Sequence, residues 1–422
     1  MIPQVKIASK PEGLDKEVIR QAVADSLADC RDRLRKVLLI PPDFTRLHSN
    51  AGRIANLYYH FLQDSCQVDL LPALGTHVPM TQEECALMYG DIPFERFLVH
   101  NWREDLVKLG QVPAAFVREV SEGILDEPID VEVNHRLLDG GYDAILSIGQ
   151  VVPHEVVGMA NYSKNVFVGC GGSRMINASH ALGAYYGLER LMGRDHSPVR
   201  RVFDYAQDHF LKDLPLDYAL TVTTAPGGEI RTHGLFIGGG RAGFEQAVRL
   251  SQEKNLIHLD RPIVKAVVYL DPQEFKTTWL GNKAVYRTRM AVADGGELFI
   301  LAPGVKKFGE DPEIDGLIRK YGYTGRERIM GLARDQSDLQ ENLSAAAHLI
   351  HGSADGRFRI TYCTRHLTRQ EVEGVGFAYQ PYGEAAARYD PAALHDGWNR
   401  LSDGEEIYFI RNPALGLWVA PR

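Results

Sequence analysis

The sequence predicts an α/β protein with mainly parallel sheets. Three observations carry this. Short apolar runs alternate with stretches of helical periodicity, most of the runs end in Pro- or Gly-containing loops, and the alternation restarts near residue 261. In order, RKVLLIPPD (35–43) reads as a buried strand stopped by Pro41 and Pro42. NAGRIANLYYHFLQ (50–63) places Ile54, Leu57, Tyr58 and Phe61 at helical spacing. CQVDLLPALGT (66–76) is a second strand. MTQEECALMYG (80–90) begins a helix with the capping-box pair Thr81 and Glu84 and ends it at Gly90. YDAILSIGQVVP (142–153) and KNVFVGCGG (164–172) are two further strand candidates. FEQAVRLSQ is an amphipathic helix before a boundary near 258–264. Beyond it come a strand in RPIVKAVVYLD (261–271), a helical stretch TTWLGNKAVYRTRMAVA and the strand ELFILAPGV (297–305). Two domains follow, 1–260 and 261–422, with an active-site cleft expected between them.

Composition narrows the function classes. At 422 residues, 45% hydrophobic and 24% charged, the chain is an ordinary globular protein. A net charge of −8 argues against non-specific nucleic-acid binding. No apolar run reaches the roughly 18–20 residues of a membrane span, and MIPQVKIASKPEGLDKE lacks the apolar core of a secretory signal. The five cysteines, Cys30, Cys66, Cys85, Cys170 and Cys363, form no C-x-x-C. A cytoplasmic location is the expectation.

The polar residues fall at strand exits. Asp43, Thr45 and Arg46 follow the first strand, Thr76 and His77 the second, and His154 the strand ending near Gly149. Open α/β sheets bind ligands beyond the carboxyl ends of their strands. One rim is therefore offered an acid, two imidazoles and a guanidinium. Taken singly, a loop histidine more commonly stabilises a turn. Lys164 reads either as a solvated lysine before a strand or as an amine aimed at a cofactor or substrate. His180, in INASHALGA, reads either as a hydrogen-bonded, half-buried histidine or as a metal ligand.

A competing motif lies in LFIGGGRAGFEQAV. Gly238, Gly240 and Gly243 have the G-x-G-x-x-G spacing of a dinucleotide site, and Asp260 follows 17 residues on. The plain reading is a glycine turn feeding a helix. The cofactor reading would make the protein an NAD-dependent 2-hydroxyacid dehydrogenase.

The ordered spacings resemble the nickel-pincer nucleotide-dependent lactate racemase family. The family's Asp-x-Thr-Arg is matched by Asp43-Phe44-Thr45-Arg46, and its Gly-Thr-His by Gly75-Thr76-His77. Its Pro-His loop with a lysine ten residues on is matched by Pro153-His154 and Lys164. Its metal histidine, sixteen residues further, is matched by His180. Its second-domain lysine, before a helix ending in Gly-Gly and a strand, is matched by Lys283 before Gly295-Gly296. The sequence departs from the family at three places. The glycine-rich stretch before the lysine is Ala160-Asn161-Tyr162-Ser163, Trp279 replaces an aromatic hydroxyl residue, and Ala181 follows the metal histidine.

The resemblance implies roles. Lys164 would carry a nickel-pincer nucleotide through a thioamide, and His180 would ligate the nickel beside the cofactor's sulfur and carbon donors. His77 and His154 would be the acid/base pair. Arg46 and Lys283 would hold the substrate carboxylate or cofactor, and Asp43 and Thr45 would seat the cofactor. Enzymes that synthesise the cofactor would be partners. The implied reaction is racemisation or epimerisation at C2 of a 2-hydroxyacid. Hydride transfer avoids a carbanion at a weakly acidic carbon, and two opposed histidines serve the two enantiomers. A non-catalytic carrier would need no opposed bases. Trp279 and Tyr162 would add bulk near the site, pointing to malate, another short 2-hydroxyacid or a sugar acid rather than lactate.

Overall fold

A computed structural model describes residues 1–414 and 416–421. The chain forms two units, Met1–Leu182 with Leu191–Asn255, and Gly183–Arg190 with Leu256–Arg422.

The first unit is built on six strands: β1 (Gln4–Ile7), β2 (Lys36–Ile40), β3 (Gln67–Leu70), β4 (Ala144–Gln150), β5 (Leu216–Thr224) and β6 (Arg231–Gly238). Their order across the sheet is β1-β6-β5-β4-β2-β3. The β3, β2, β4 and β5 strands run parallel, whereas β6 is antiparallel to β5, and β1, antiparallel to β6, closes that edge. Successive side chains of a strand point to opposite faces, and β2 shows the result. Val37 and Leu39 enter one core, Leu38 and Ile40 the other. Helices α1 (Lys16–Leu27) and α2 (Ala51–Leu62) cover the first face through Ile19, Val23, Ile54 and Tyr58. Helix α3 (Gln82–Tyr89) has the expected capping box between Thr81 and Glu84. Helix α4 (Ser173–Tyr186) and helix α5 (Pro198–Phe210) supply Met175, Ile176, Val199 and Phe203 to the opposite core.

Two expectations need correction here. Residues 164–172 are not a strand: Asn165–Gly169 is a π-helical turn. A short apolar run with no alternation fits a buried turn as well as a buried strand, and Val166, Phe167 and Val168 are all buried. The glycine motif is also misplaced for a dinucleotide site. It follows β6, an antiparallel strand, and feeds helix α6 (Arg241–Asn255), so it does not open a parallel βαβ unit.

The second unit has its own six-stranded sheet: β7 (Ile263–Tyr269), β8 (Val292–Ala302), β9 (Arg359–Thr364), β10 (Ala378–Pro381), β11 (Gly397–Arg400) and β12 (Glu406–Ile410). The order is β10-β9-β8-β7-β12-β11, parallel except for β11 against β12. Short helices α7 (Thr278–Gly281) and α8 (Lys283–Thr288) lie between β7 and β8. Gly295-Gly296 does not end the helix. It lies within β8, where the register against β7 slips, and Gly295 takes a φ of 75°. Helices α9 (Pro312–Tyr321), α10 (Arg326–Asp335) and α11 (Leu343–His351) pack Leu317, Ile329 and Leu349 into this unit's core. Among the described residues no helix is long and apolar enough to cross a membrane.

Candidate active site

The parallel strands β2, β3 and β4 end on one side of the first unit's sheet, which puts their exit loops on a common rim. Asp43 precedes a 3₁₀ turn, Phe44–Ser49, that carries Thr45 and Arg46. The exit of β3 turns at Gly75, whose φ of 57° suits glycine, and presents His77. These two loops meet. Asp43 Oδ2 accepts from His77 Nδ1 at 2.5 Å, and Asp43 Oδ1 accepts from the Thr45 hydroxyl at 2.6 Å. Burial pulls the Asp43 carboxyl upward. The charge and hydrogen bond of His77, with Thr45 and Arg46, outweigh it and hold the carboxyl below its ordinary value.

His154 is buried on the loop after β4. Its Nδ1 accepts the Val156 backbone N–H at 3.1 Å and lies 3.7 Å from Glu155 Oε2. That bond makes Nε2 the protonated nitrogen of the neutral ring. His77 is arranged the other way: Nδ1–H faces a carboxylate, leaving Nε2 as the lone pair.

Lys164 stands immediately before the π-helical turn. Single π turns concentrate at functional sites, and this one ties the loops together. Asn165 Nδ2 donates to Ile40 O at 3.1 Å and Ser147 Oγ at 3.0 Å, reaching β2 and β4. Gly75 N donates to Gly169 O at 2.9 Å, linking the His77 loop to the same turn. Burial brings the Lys164 amine down to about 8; Arg46 adds to the effect, and Glu155 and Asp43 oppose it. His180, one face of α4, donates from Nδ1 to Ile176 O at 2.6 Å. Burial takes its imidazole down to about 4, and Lys164 contributes after the opposing backbone bond. With Nδ1 engaged, Nε2 is the nitrogen available to a metal.

Asp43, Thr45, Arg46, His77, Lys164 and His180 thus form one electrostatically connected set in the first unit, and Glu155 connects His154 to Lys164 and His180. Lys283 belongs to the second unit. Its buried Nζ lies 4.0 Å from Glu274 Oε1 and 5.5 Å from the centre of the Phe275 ring. Tyr162 does not add bulk to the site as expected. Its ring is 4% exposed, stacked on Phe244 at 4.9 Å and against Tyr218 at 4.4 Å. Trp279 packs against His348 in the second unit.

The lysine loop holds residues that the sequence reading passed over. Asn161 and Tyr162 have φ of 64° and 55°, two consecutive left-handed residues where glycine is the usual choice. The buried guanidinium of Arg200 grips this loop, donating to Met159 O at 2.7 Å, Asn161 O at 3.0 Å and Ser163 Oγ at 2.7 Å. The Ser163 hydroxyl in turn donates to Asp204. Glu155 had a legible signal: it is the one charged residue between Gln150 and Ser163.

The lactate racemase N-terminal domain model matches residues 4–187. A crystal structure of a protein from Thermotoga maritima is 25% identical, covers 98% of this chain and all of its own, and superposes with a TM-score of 0.84. The lactate racemase apoprotein from Thermoanaerobacterium thermosaccharolyticum is 15% identical over 96% of this chain and 93% of its own, with a TM-score of 0.70, a likeness of fold. No curated protein sequence matches.

Proposed function

We propose that this chain inverts the C2 centre of a 2-hydroxyacid, as the match of residues 4–187 to the lactate racemase N-terminal domain suggests. The observation that carries this reading is the Asp43–His77 pair beside Arg46, on a rim shared with a depressed lysine and a tautomer-fixed histidine.

The residues fit a nickel-pincer nucleotide. Among the described residues no three His, Cys, Asp or Glu side chains gather to hold a metal. A metal at His180 would therefore take most of its donors from a bound organic group, and an imidazole beside sulfur donors suits nickel. Lys164 would hold that group covalently, its amine brought near neutrality for acylation. Thr45 and Asp43 would border it. Separate synthesis enzymes would supply it. Bound there, the group would supply a reversible hydride acceptor for C2 of the substrate.

The chain's own residues handle the carboxylate and the proton. Arg46 binds the substrate carboxylate and fixes the pivot. For one enantiomer, His77 Nε2 takes the hydroxyl proton, and the resulting imidazolium keeps its bond to Asp43. His154, entering this step as an imidazolium, gives its Nε2 proton to the oxygen to complete the other enantiomer and is left neutral. The reverse reaction exchanges the two roles, as microscopic reversibility requires. Malate, another short 2-hydroxyacid and a sugar acid are the substrates to try first.

The test is production with the cofactor-synthesis enzymes and nickel, then chiral chromatography of a 2-hydroxyacid panel. Interconversion of the enantiomers of at least one acid, dependent on nickel and on Lys164, is the expected result. Nickel-loaded protein that interconverts none of them overturns the reading.

A further inference from the structure

The second unit contains a cavity of about 1190 Å³ that shares no residue with the site above. It lies between the Gly187–Arg190 segment, the start of α10 and the strands β9 and β10. Six arginines line it against four carboxylates, in a chain whose net charge is −8.

The carboxylates are largely committed elsewhere. Glu189 and Asp355 bind Arg289, at 2.8 and 2.7 Å, in the cavity's floor. Asp355 also caps the backbone N–H of Arg326 at 2.8 Å. Glu373 pairs with Arg369 at 2.9 Å. Arg357 is spent on Asp294 and on the carbonyls of Arg289 and Val292. Arg190 donates to the Tyr186 hydroxyl at 3.0 Å and lies over its ring. What remains is a second set, Arg326, Arg328 and Arg359, none of which has an ion-pair partner among the described residues, with the single carboxylate of Glu327 beside them. The largely buried side chains of Leu188, Ile350, Phe358 and Ile360 form the apolar part of the lining.

We propose that this cavity binds a nucleotide-sized organic phosphate. Guanidinium groups without carboxylate partners match the multiple oxygens of a phosphate chain, which they can bind bidentately. The volume is ample for a ligand of that size, since small-molecule sites commonly span about 300–1,000 Å³. The arginines hold the anion, and the apolar part of the lining, the apolar wall, borders the planar body. The floor supports the site: Arg289 is 2% exposed and held on three sides by Glu189, Asp355 and the Ser353 carbonyl, so the wall that carries Asp355 and the α10 terminus is fixed.

The experiment is calorimetric titration of the full chain with ATP and, separately, with inorganic pyrophosphate. Three proteins are compared: wild type, Arg328→Ala/Arg359→Ala and Arg46→Ala. Arg328 and Arg359 are exposed, so the double variant should fold normally, which thermal melting checks. ATP should bind wild type more tightly than pyrophosphate does, with an affinity that falls as salt rises. The double variant should lose at least tenfold in ATP affinity, and Arg46→Ala should lose none. Absence of ATP binding at millimolar concentration, unchanged binding in the double variant, or loss in Arg46→Ala would each overturn the proposal. Pyrophosphate binding as tightly as ATP would overturn the part given to the apolar wall. None of these readouts involves turnover, so their outcome is separate from that of the racemase reading.

Discussion

His77 Nδ1 and Asp43 Oδ2 are 2.5 Å apart, across two loops that leave different strands of one parallel sheet. A carboxylate in this position fixes the ring's tautomer and stabilises the imidazolium formed when Nε2 takes a proton. Asp43 is thus a positioning residue for His77, in addition to bordering a cofactor. Asp43→Asn keeps the shape but removes the charge. Turnover of the loaded enzyme should fall by about 10²- to 10⁴-fold, the range for loss of general-base function. Nickel content and intact mass should stay those of the parent. A variant that racemises within threefold of the parent would show that the pair does not serve the proton transfer.

The two histidines are prepared differently, which can be observed without cofactor or substrate. His77 should carry its neutral-state proton on Nδ1, facing Asp43. His154 should carry its own on Nε2, because Nδ1 already accepts from Val156. Long-range ¹H–¹⁵N correlation spectra of the histidine side chains report the tautomer directly, with His77→Gln and His154→Gln assigning the signals. The same tautomer at both residues would contradict the asymmetry.

Much of the site was legible in the sequence because strand exits are. An apolar run followed by Pro or Gly locates the carboxyl end of a buried strand, and Asp43, His77 and His154 all lie just beyond one. Helix α3 was legible to the residue, since a capping box is a local hydrogen-bond pattern. The segment after Lys164 was not. Val-Phe-Val satisfies a buried strand and a buried turn equally, and the choice was made by distant partners: Asn165 bonds to β2 and β4, and Gly75 reaches across to Gly169. Arg200 was invisible for a related reason. Nothing near it in sequence marks its partners, which lie about 40 residues earlier. The antiparallel pairing of β6, which removes the dinucleotide reading of Gly238–Gly243, is likewise set by distant partners rather than by local pattern.

The Lys164 amine, brought down to about 8 by burial and Arg46, should be the most readily acylated lysine of the cofactor-free protein near neutrality. Labelling with an amine-directed ester, followed by peptide mass spectrometry, should give a midpoint near pH 8 for Lys164 and higher midpoints for exposed lysines. Stability follows the same linkage. Between about pH 8 and the ordinary lysine value of about 10.4, the unfolded chain holds a proton at this position that the folded chain has released. Folding is therefore penalised at pH 7, and the penalty is relieved as pH rises through that window. Lys164→Met should be more stable than the parent at pH 7, with a gap that narrows towards pH 10. A pH-independent gap would show an ordinary lysine.

Arg200 holds the lysine loop in a conformation that its residues would not choose. Asn161 and Tyr162 occupy the left-handed region, at a cost of about 1–2 kcal/mol for a side chain such as tyrosine. The guanidinium satisfies two loop carbonyls and the Ser163 hydroxyl, and the Tyr162 ring is locked against Phe244 and Tyr218. A Cβ at Gly149 would lie 2.0 Å from Asn161 Nδ2, so the end of β4 must stay bare for the loop to pass. Arg200→Met leaves two buried carbonyls without donors and releases the loop. The loss should be about 3 kcal/mol or more, read as a lower denaturation midpoint. A second readout separates loop positioning from general damage. With the loop loosened, the Lys164 amine becomes hydrated, and its labelling midpoint should move up towards that of exposed lysines. Arg200→Lys, which keeps the charge but not the fork, should fall between the two. An Arg200→Met protein that is destabilised but retains the Lys164 midpoint would assign Arg200 to the core alone, and the lysine's setting to burial within the π turn.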